Sequence, residues 1–124
     1  MALPQNEREP QNDVAERARE IGRRQSLFRE VNERIEELTD SFDMQDGLSI
    51  LCECGNDRCS EQIALTPAAY EEVRRIPTRF AILPGHELPD VERIVERFDG
   101  FLVVEKVGDS AVTAINLDPR RQPR

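Results

Sequence analysis

Three cysteines fall within eight residues, Cys52-Glu-Cys54-Gly-Asn-Asp-Arg-Cys59, and the single histidine follows in Pro84-Gly85-His86-Glu87. Three thiolates and one imidazole are a standard tetrahedral donor set for structural zinc, and the chain holds enough such ligands for one site. The candidate ligands are therefore Cys52, Cys54, Cys59 and His86, with Zn2+ as the expected metal in a structural role. Gly55, followed by Asn56 and Asp57, supplies the left-handed and tight-turn conformations that let a backbone fold around an ion.

Other readings of the same residues stay open. C-x-C-x4-C fixes three donors and leaves the fourth unspecified, so Asp57, Glu87 or a water could stand in for His86. Cysteines also occur as small buried hydrophobes without further role. A disulfide with one spare thiol is a weaker option, since an odd count without an export signal argues against an oxidising compartment, and an iron–sulfur or thiol-redox role is a further option. Were the metal site open, Glu53 or Glu87 could act as base on a zinc-bound water, giving a small zinc hydrolase. No phosphate-binding loop, dinucleotide fingerprint or nucleophile elbow is present, and the H-x-E…P-C-x-x-C pattern of zinc deaminases is missing.

Beyond the cysteines, the chain carries Phe28-Arg-Glu-Val-Asn-Glu-Arg34, Ala64-Leu-Thr-Pro-x2-Tyr70-Glu, Pro84-Gly-His-Glu87 and Leu102-Val-Val-Glu-Lys106. In this order, with the C-x-C-G-x3-C knuckle, they resemble a family of short, uncharacterised proteins of high-GC bacteria across about residues 26–108. The resemblance implies that Cys52, Cys54, Cys59 and His86 belong together, and it implies no activity.

The 124 residues suit one domain with a modest core, since aromatic residues make up 5% and charged residues 34%. A metal staple would help so polar a chain to fold. The net charge is −8. Residues 1–43 carry 11 acids and 7 arginines, residues 44–118 carry 14 acids and 7 bases, and only the last six residues are basic. Nucleic-acid binding depends on a positive surface that displaces counterions, so it is disfavoured. No run approaches the roughly 18 to 20 apolar residues of a membrane span, and the first residues lack a secretory pattern. The expectation is a cytoplasmic protein with reduced thiols and no membrane partner.

The elements that must position the ligands read as follows. Residues 1–11, with Pro4 and Pro10, are expected to be disordered. A long amphipathic helix is expected over 12–43, capped at Asn12 or Asp13, with Val14, Ile21, Phe28, Val31, Ile35, Leu38 and Phe42 as its apolar stripe. From Phe28 the spacing is heptad-like, so the helix either packs residues 28–42 on its own domain while 13–27 frays, or forms a coiled coil between two copies. The segment 44–117 is expected to be a small zinc-binding α+β domain. In it, Leu48-Ser-Ile-Leu-Cys52 and Ile63-Ala-Leu65 form a hairpin with the knuckle at its tip.

Thr66-Pro67 should cap a first short helix with Tyr70, Val73 and Ile76 inward, stopped by Pro77. Phe80 belongs to a strand over 79–83 that delivers His86. Residues 88–98 are expected to form a second amphipathic helix bearing Val91, Ile94, Val95 and Phe98, ended by Asp99-Gly100. The strongest strand signal is 101–107, which could turn at 108–110 into a hairpin with 111–115. Segment 111–117 is ambiguous between strand and helix, and 118–124 reads as a flexible basic tail.

The fold class is thus α+β: a long N-terminal helix, a small sheet with a zinc-knuckle hairpin, and two short helices. The expected function is that of a non-enzymatic, zinc-stabilised protein-interaction or regulatory module. A protein partner or a second copy would bind through the N-terminal helix. The alternatives are a small zinc hydrolase and a thiol-based redox or metal sensor.

Overall fold

The structure, a computed structural model, describes residues 10–41 and 47–121 and is mixed α+β. In chain order the elements are α1 (Pro10–Ser41), β1 (Leu48–Leu51), β2 (Gln62–Leu65), α2 (Pro67–Arg74), β3 (Arg79–Ile82), β4 (Glu92–Phe98), β5 (Phe101–Lys106) and α3 (Gly108–Asn116). Among the described residues there are two antiparallel sheets, β1–β2 and β3–β5–β4 with β5 central. The expected disorder of 1–11 lies outside the described residues up to position 9, and Pro10 and Gln11 already belong to α1.

The apolar core forms where the two sheets and α2 meet. Ile50, Ile63, Tyr70, Phe80, Ile82, Val103 and Val104 are all buried there, and Cys52 and Cys54 continue the same cluster. β5 reads as a run of apolar residues because it is flanked by a strand on each edge and buried through Phe101, Leu102, Val103 and Val104. Thr66 caps α2 as the sequence predicts: its hydroxyl accepts from the Ala69 N–H at 3.1 Å, and Pro67 occupies the first turn.

Two elements differ from expectation. Residues 88–98 form no helix, because Glu92–Phe98 is strand β4, paired with β5 from Glu92↔Lys106 to Phe98↔Phe101. The register shifts between Ile94 and Glu96, so one extra residue, Val95, interrupts the two-residue alternation and imitates the i, i+3, i+4 spacing of a helix. Asp99-Gly100 is the two-residue turn of a hairpin rather than a helix end, with Gly100 at φ 90°. The second short helix is instead α3, which resolves the segment ambiguous between strand and helix in favour of helix and takes in the expected turn at 108–110. Ser110 anchors it by donating to the Val91 carbonyl at 2.9 Å, and it buries Ser110 and Ala114.

α1 packs on the rest of the chain through a face that the heptad pattern does not select. Its buried residues are Ala18, Ile21, Gln25, Ser26, Arg29, Asn32 and Glu36. Val31 and Leu38 of the expected stripe are exposed, as is Leu27, while Phe28 and Ile35 are half-buried. The side chain of Val14 and all of Phe42 lie outside the described residues. From Ala18 on, the N-terminal half of α1 does not fray: Ala18 and Ile21 pack against Val91 and Leu88, and Gly22 approaches Thr113 of α3 so closely that a Cβ would meet it at 3.0 Å.

Polar contacts fasten the remaining ends. Arg74 Nε donates to Glu33 at 3.0 Å and Arg74 Nη2 to Asp118 at 2.5 Å. Arg120 reaches Glu33, Glu36 and Glu71. The expected flexible tail is thus tied to α1 and α2 as far as Arg120, and residues 122–124 lie outside the described part. Lys106, the chain's only lysine, pairs with Glu92 at 2.8 Å with both side chains fully enclosed.

Candidate metal centre

The β1–β2 hairpin carries the cysteines in the loop at its tip, beyond the Leu51↔Gln62 pair. Cys52 directly follows β1 and its N–H donates to the Glu61 carbonyl at 2.9 Å, extending the ladder one step beyond the strands. Because side chains alternate along an extended segment, Cys52 and Cys54 face one way and Glu53 the other. Gly55 then turns the chain at φ 80°, and a Cβ there would lie 2.8 Å from Gln25 Cγ and 3.1 Å from Ile21 Cγ2. Only glycine satisfies both the dihedral angle and the close approach of α1. Asn56 closes the loop: its side chain accepts from Arg58 N–H at 2.9 Å, and its carbonyl accepts from Cys59 N–H at 3.0 Å.

The second half of the site comes from beyond β3. Pro84-Gly85 turns the chain, with Gly85 at φ 88°, and His86 N–H donates to the Leu83 carbonyl at 3.1 Å. This turn carries the imidazole to the thiols. The ligand atoms of Cys52, Cys54, Cys59 and His86 all lie within 4.8 Å of one another, and together they form a group able to hold a metal ion. The His86 Nδ1 is 3.6 Å from Cys52 Sγ and 3.7 Å from Cys59 Sγ. A tetrahedron with zinc–sulfur bonds of about 2.3 Å and zinc–nitrogen bonds of about 2.0 Å has sulfur–nitrogen edges of about 3.5 Å. The donors therefore already stand near coordination spacing.

The Cys52 sulfur also receives a backbone N–H, that of Leu83 at 3.2 Å. Such a donor disperses the charge that accumulates when three thiolates gather around one dication. Without a cation the sulfurs cannot all ionise. The hydrogen bond from Cys52, aided by the Asn56 N–H and His86, lowers the Cys54 thiol to about 5. Cys52 is pushed up by that same contact and by burial, and Cys59 chiefly by burial.

Carboxylates named from the sequence fall into distinct places. Glu61 Oε2 lies 3.5 Å from His86 Nε2, on the far side of the ring from the sulfurs, where it favours the tautomer that leaves Nδ1 free to ligate. Glu87 turns back to accept from Gly85 N–H at 2.9 Å. Glu53 is fully buried and faces away from the thiols. Its Oε1 accepts from Arg29 and from Ala81 N–H, each at 3.1 Å, and its Oε2 accepts from Asn32 at 2.9 Å and from the Tyr70 hydroxyl at 3.3 Å. Neither Glu53 nor Glu87 is aimed at the metal position. Asp57 is exposed and stands outside the ligand group.

Sequence reasoning missed the residues that support the site from α1, namely Gln25, Arg29 and Asn32. Arg29 is as buried as any core residue, with its guanidinium 3.8 Å above the Phe80 ring. The available signal was the alternation that forces Glu53 inward, since a buried carboxylate requires partners. A cleft of about 310 Å³, lined by Cys54, Asn56, Gly85, His86, Glu87 and Leu88, opens beside the ligands. Comparison with protein-family models, curated proteins and solved structures returned no match.

Proposed function

We propose that the chain is a zinc-binding, non-enzymatic interaction or regulatory module in which the metal completes the fold and the outer face of α1 meets a protein partner. The observation that carries this reading is the convergence of three thiols and one imidazole at near-coordination spacing, with the Cys52 sulfur served by the Leu83 N–H. The donor set is softer than calcium or magnesium sites use and matches structural zinc. Four protein donors fill a tetrahedron, which leaves no position for substrate, and the engagement of Glu53 and Glu87 elsewhere argues against a hydrolytic base.

The interaction surface is suggested by Leu27, Val31 and Leu38, which are 56%, 41% and 60% exposed on the face of α1 opposite the packed one. A second copy or another protein would cover them. Among the described residues no helix is long and apolar enough to cross a membrane, and the acidic charge disfavours nucleic acid. Reduced thiols fit a cytoplasmic setting. The half-exposed Cys59 and His86 favour, as a second reading, a metal or thiol-redox sensor that exchanges its ion through this edge.

Elemental analysis of the purified protein tests the first reading. One zinc per chain, lost with helical circular dichroism when a strong chelator is added, is the expected result. Metal-free protein with an unchanged spectrum and unchanged melting would refute it. Sizing by light scattering before and after Leu27→Ser with Leu38→Ser tests the surface, since a monomer mass in both rules out the second copy.

A further inference from the structure

Besides the close approach of Ile21 and Gln25 to Gly55, the polar contacts between α1 and the knuckle converge on one residue. Glu53 sits between the ligands Cys52 and Cys54, and three α1 side chains close on it and on Leu51. Gln25 Nε2 donates to the Glu53 carbonyl at 2.9 Å, Arg29 Nη2 to Oε1 at 3.1 Å, and Asn32 Nδ2 to Oε2 at 2.9 Å. Asn32 also brackets Leu51 as a neighbouring strand would, donating to its carbonyl at 2.9 Å and accepting from its N–H at 2.8 Å. Arg29 further donates to the carbonyls of Pro77 and Arg79 at the start of β3. Glu53 is pinned on that side too, by its N–H to the Ala81 carbonyl at 2.9 Å.

An extended segment of three residues cannot turn its middle Cα–Cβ bond without turning the two beside it. Fixing Glu53 therefore fixes the backbone that aims the Cys52 and Cys54 side chains. A buried guanidinium that loses its carboxylate is left with an uncompensated charge, so the arrangement favours two states, docked and released, over gradual loosening. The released state is accessible to α1 because most of the face it would uncover, Gln25, Ser26, Arg29, Asn32 and Glu36, is polar and can be solvated, with Ala18 and Ile21 its buried apolar residues.

We propose that Gln25, Arg29 and Asn32 are positioning residues of the metal site, acting through Glu53, and that metal occupancy in turn holds α1 in its docked position. The proposal rests on the metal-binding reading above. Linkage makes the coupling reciprocal: whatever affinity the docked helix adds for metal, the metal adds for docking.

The test uses the full chain with Zn2+ or Co2+. Hydrogen exchange with and without metal is expected to show a rise across residues 18–36 of α1 that exceeds the rise in β5. Zinc affinity, read by competition with a chromophoric chelator, should fall about tenfold in Asn32→Ala and in Glu53→Gln, the scale of an outer-shell change. The Co2+–thiolate charge-transfer band should stay in place, because all four ligands remain. Glu30→Gln, at an exposed position of the same helix, should change neither quantity. Equal exchange in α1 and β5 on metal removal, or Asn32→Ala and Glu53→Gln binding zinc as tightly as the unaltered chain, overturns the proposal and leaves the metal site standing. An unaltered chain that takes up neither metal overturns both readings. Should the variants fail to fold, the exchange comparison on the unaltered chain still decides.

Discussion

The three-stranded sheet and the knuckle end of the molecule are built on different physics. In the sheet, Phe80, Ile82, Leu102, Val103 and Val104 are buried apolar residues whose packing needs no specific partner. At the knuckle the buried groups are thiols, a carboxylate, a guanidinium and two amides. Each of these is costly to desolvate unless its partner is in place. The first region tolerates any filling of about the right volume; the second is specified atom by atom around a group able to hold a metal ion.

The sharpest way to break the comparison is to remove a ligand. Cys52→Ser or Cys54→Ser should abolish stoichiometric zinc and lower the melting temperature steeply, since structural zinc contributes on the order of 10 kcal/mol near neutral pH. Calorimetry with parallel metal analysis measures both. Phe80→Ala should cost about 3 to 5 kcal/mol by denaturant titration, as large-to-small changes in tight cores do. If the regions differ as described, that loss persists in metal-free protein, although Phe80 also supports Arg29 and part of the loss will track the metal.

Glu61→Gln keeps the shape of the His86 partner but removes its charge. Zinc affinity should drop by about tenfold without change in the ligand count, read by chelator competition. The smallest effect concerns the charged seam of α1, α2 and the C-terminal segment. Burial, with Glu71 alongside, raises Glu36 from 4.5 to about 8. A raised carboxyl contributes stability that is complete below pH 4.5 and lost as the pH climbs through about 8. Glu36→Gln stays neutral throughout, so its stability relative to the unaltered chain should improve steadily across that window in pH-dependent melting.

What the sequence disclosed follows the same division. Where chemistry is local it was readable: the C-x-C-x4-C spacing, Gly55 in the turn, the Thr66-Pro67 cap and the apolar run of β5 each carry their reason within a few residues. β4 was misread because the shift at Val95 gives a strand the spacing of a helix. α3 was left open because Val112, Thr113 and Ile115 are β-branched, while its stabilising contacts, Ser110 to Val91 and Thr113 against Gly22, are long-range. The buried face of α1 was hidden for the same cause. Gln25, Arg29 and Asn32 look like solvated positions until Glu53 and the carbonyls of Leu51, Pro77 and Arg79 are brought beneath them.

The enclosed pair of Lys106 and Glu92 has a consequence for handling the protein. With its one ε-amine sealed, the folded chain presents no lysine to acylating reagents, amine-directed crosslinkers or enzymes that conjugate to lysine. Covalent tagging at Lys106 must wait for β4 and β5 to separate, so the rate of such tagging becomes a clock for the opening of the central sheet.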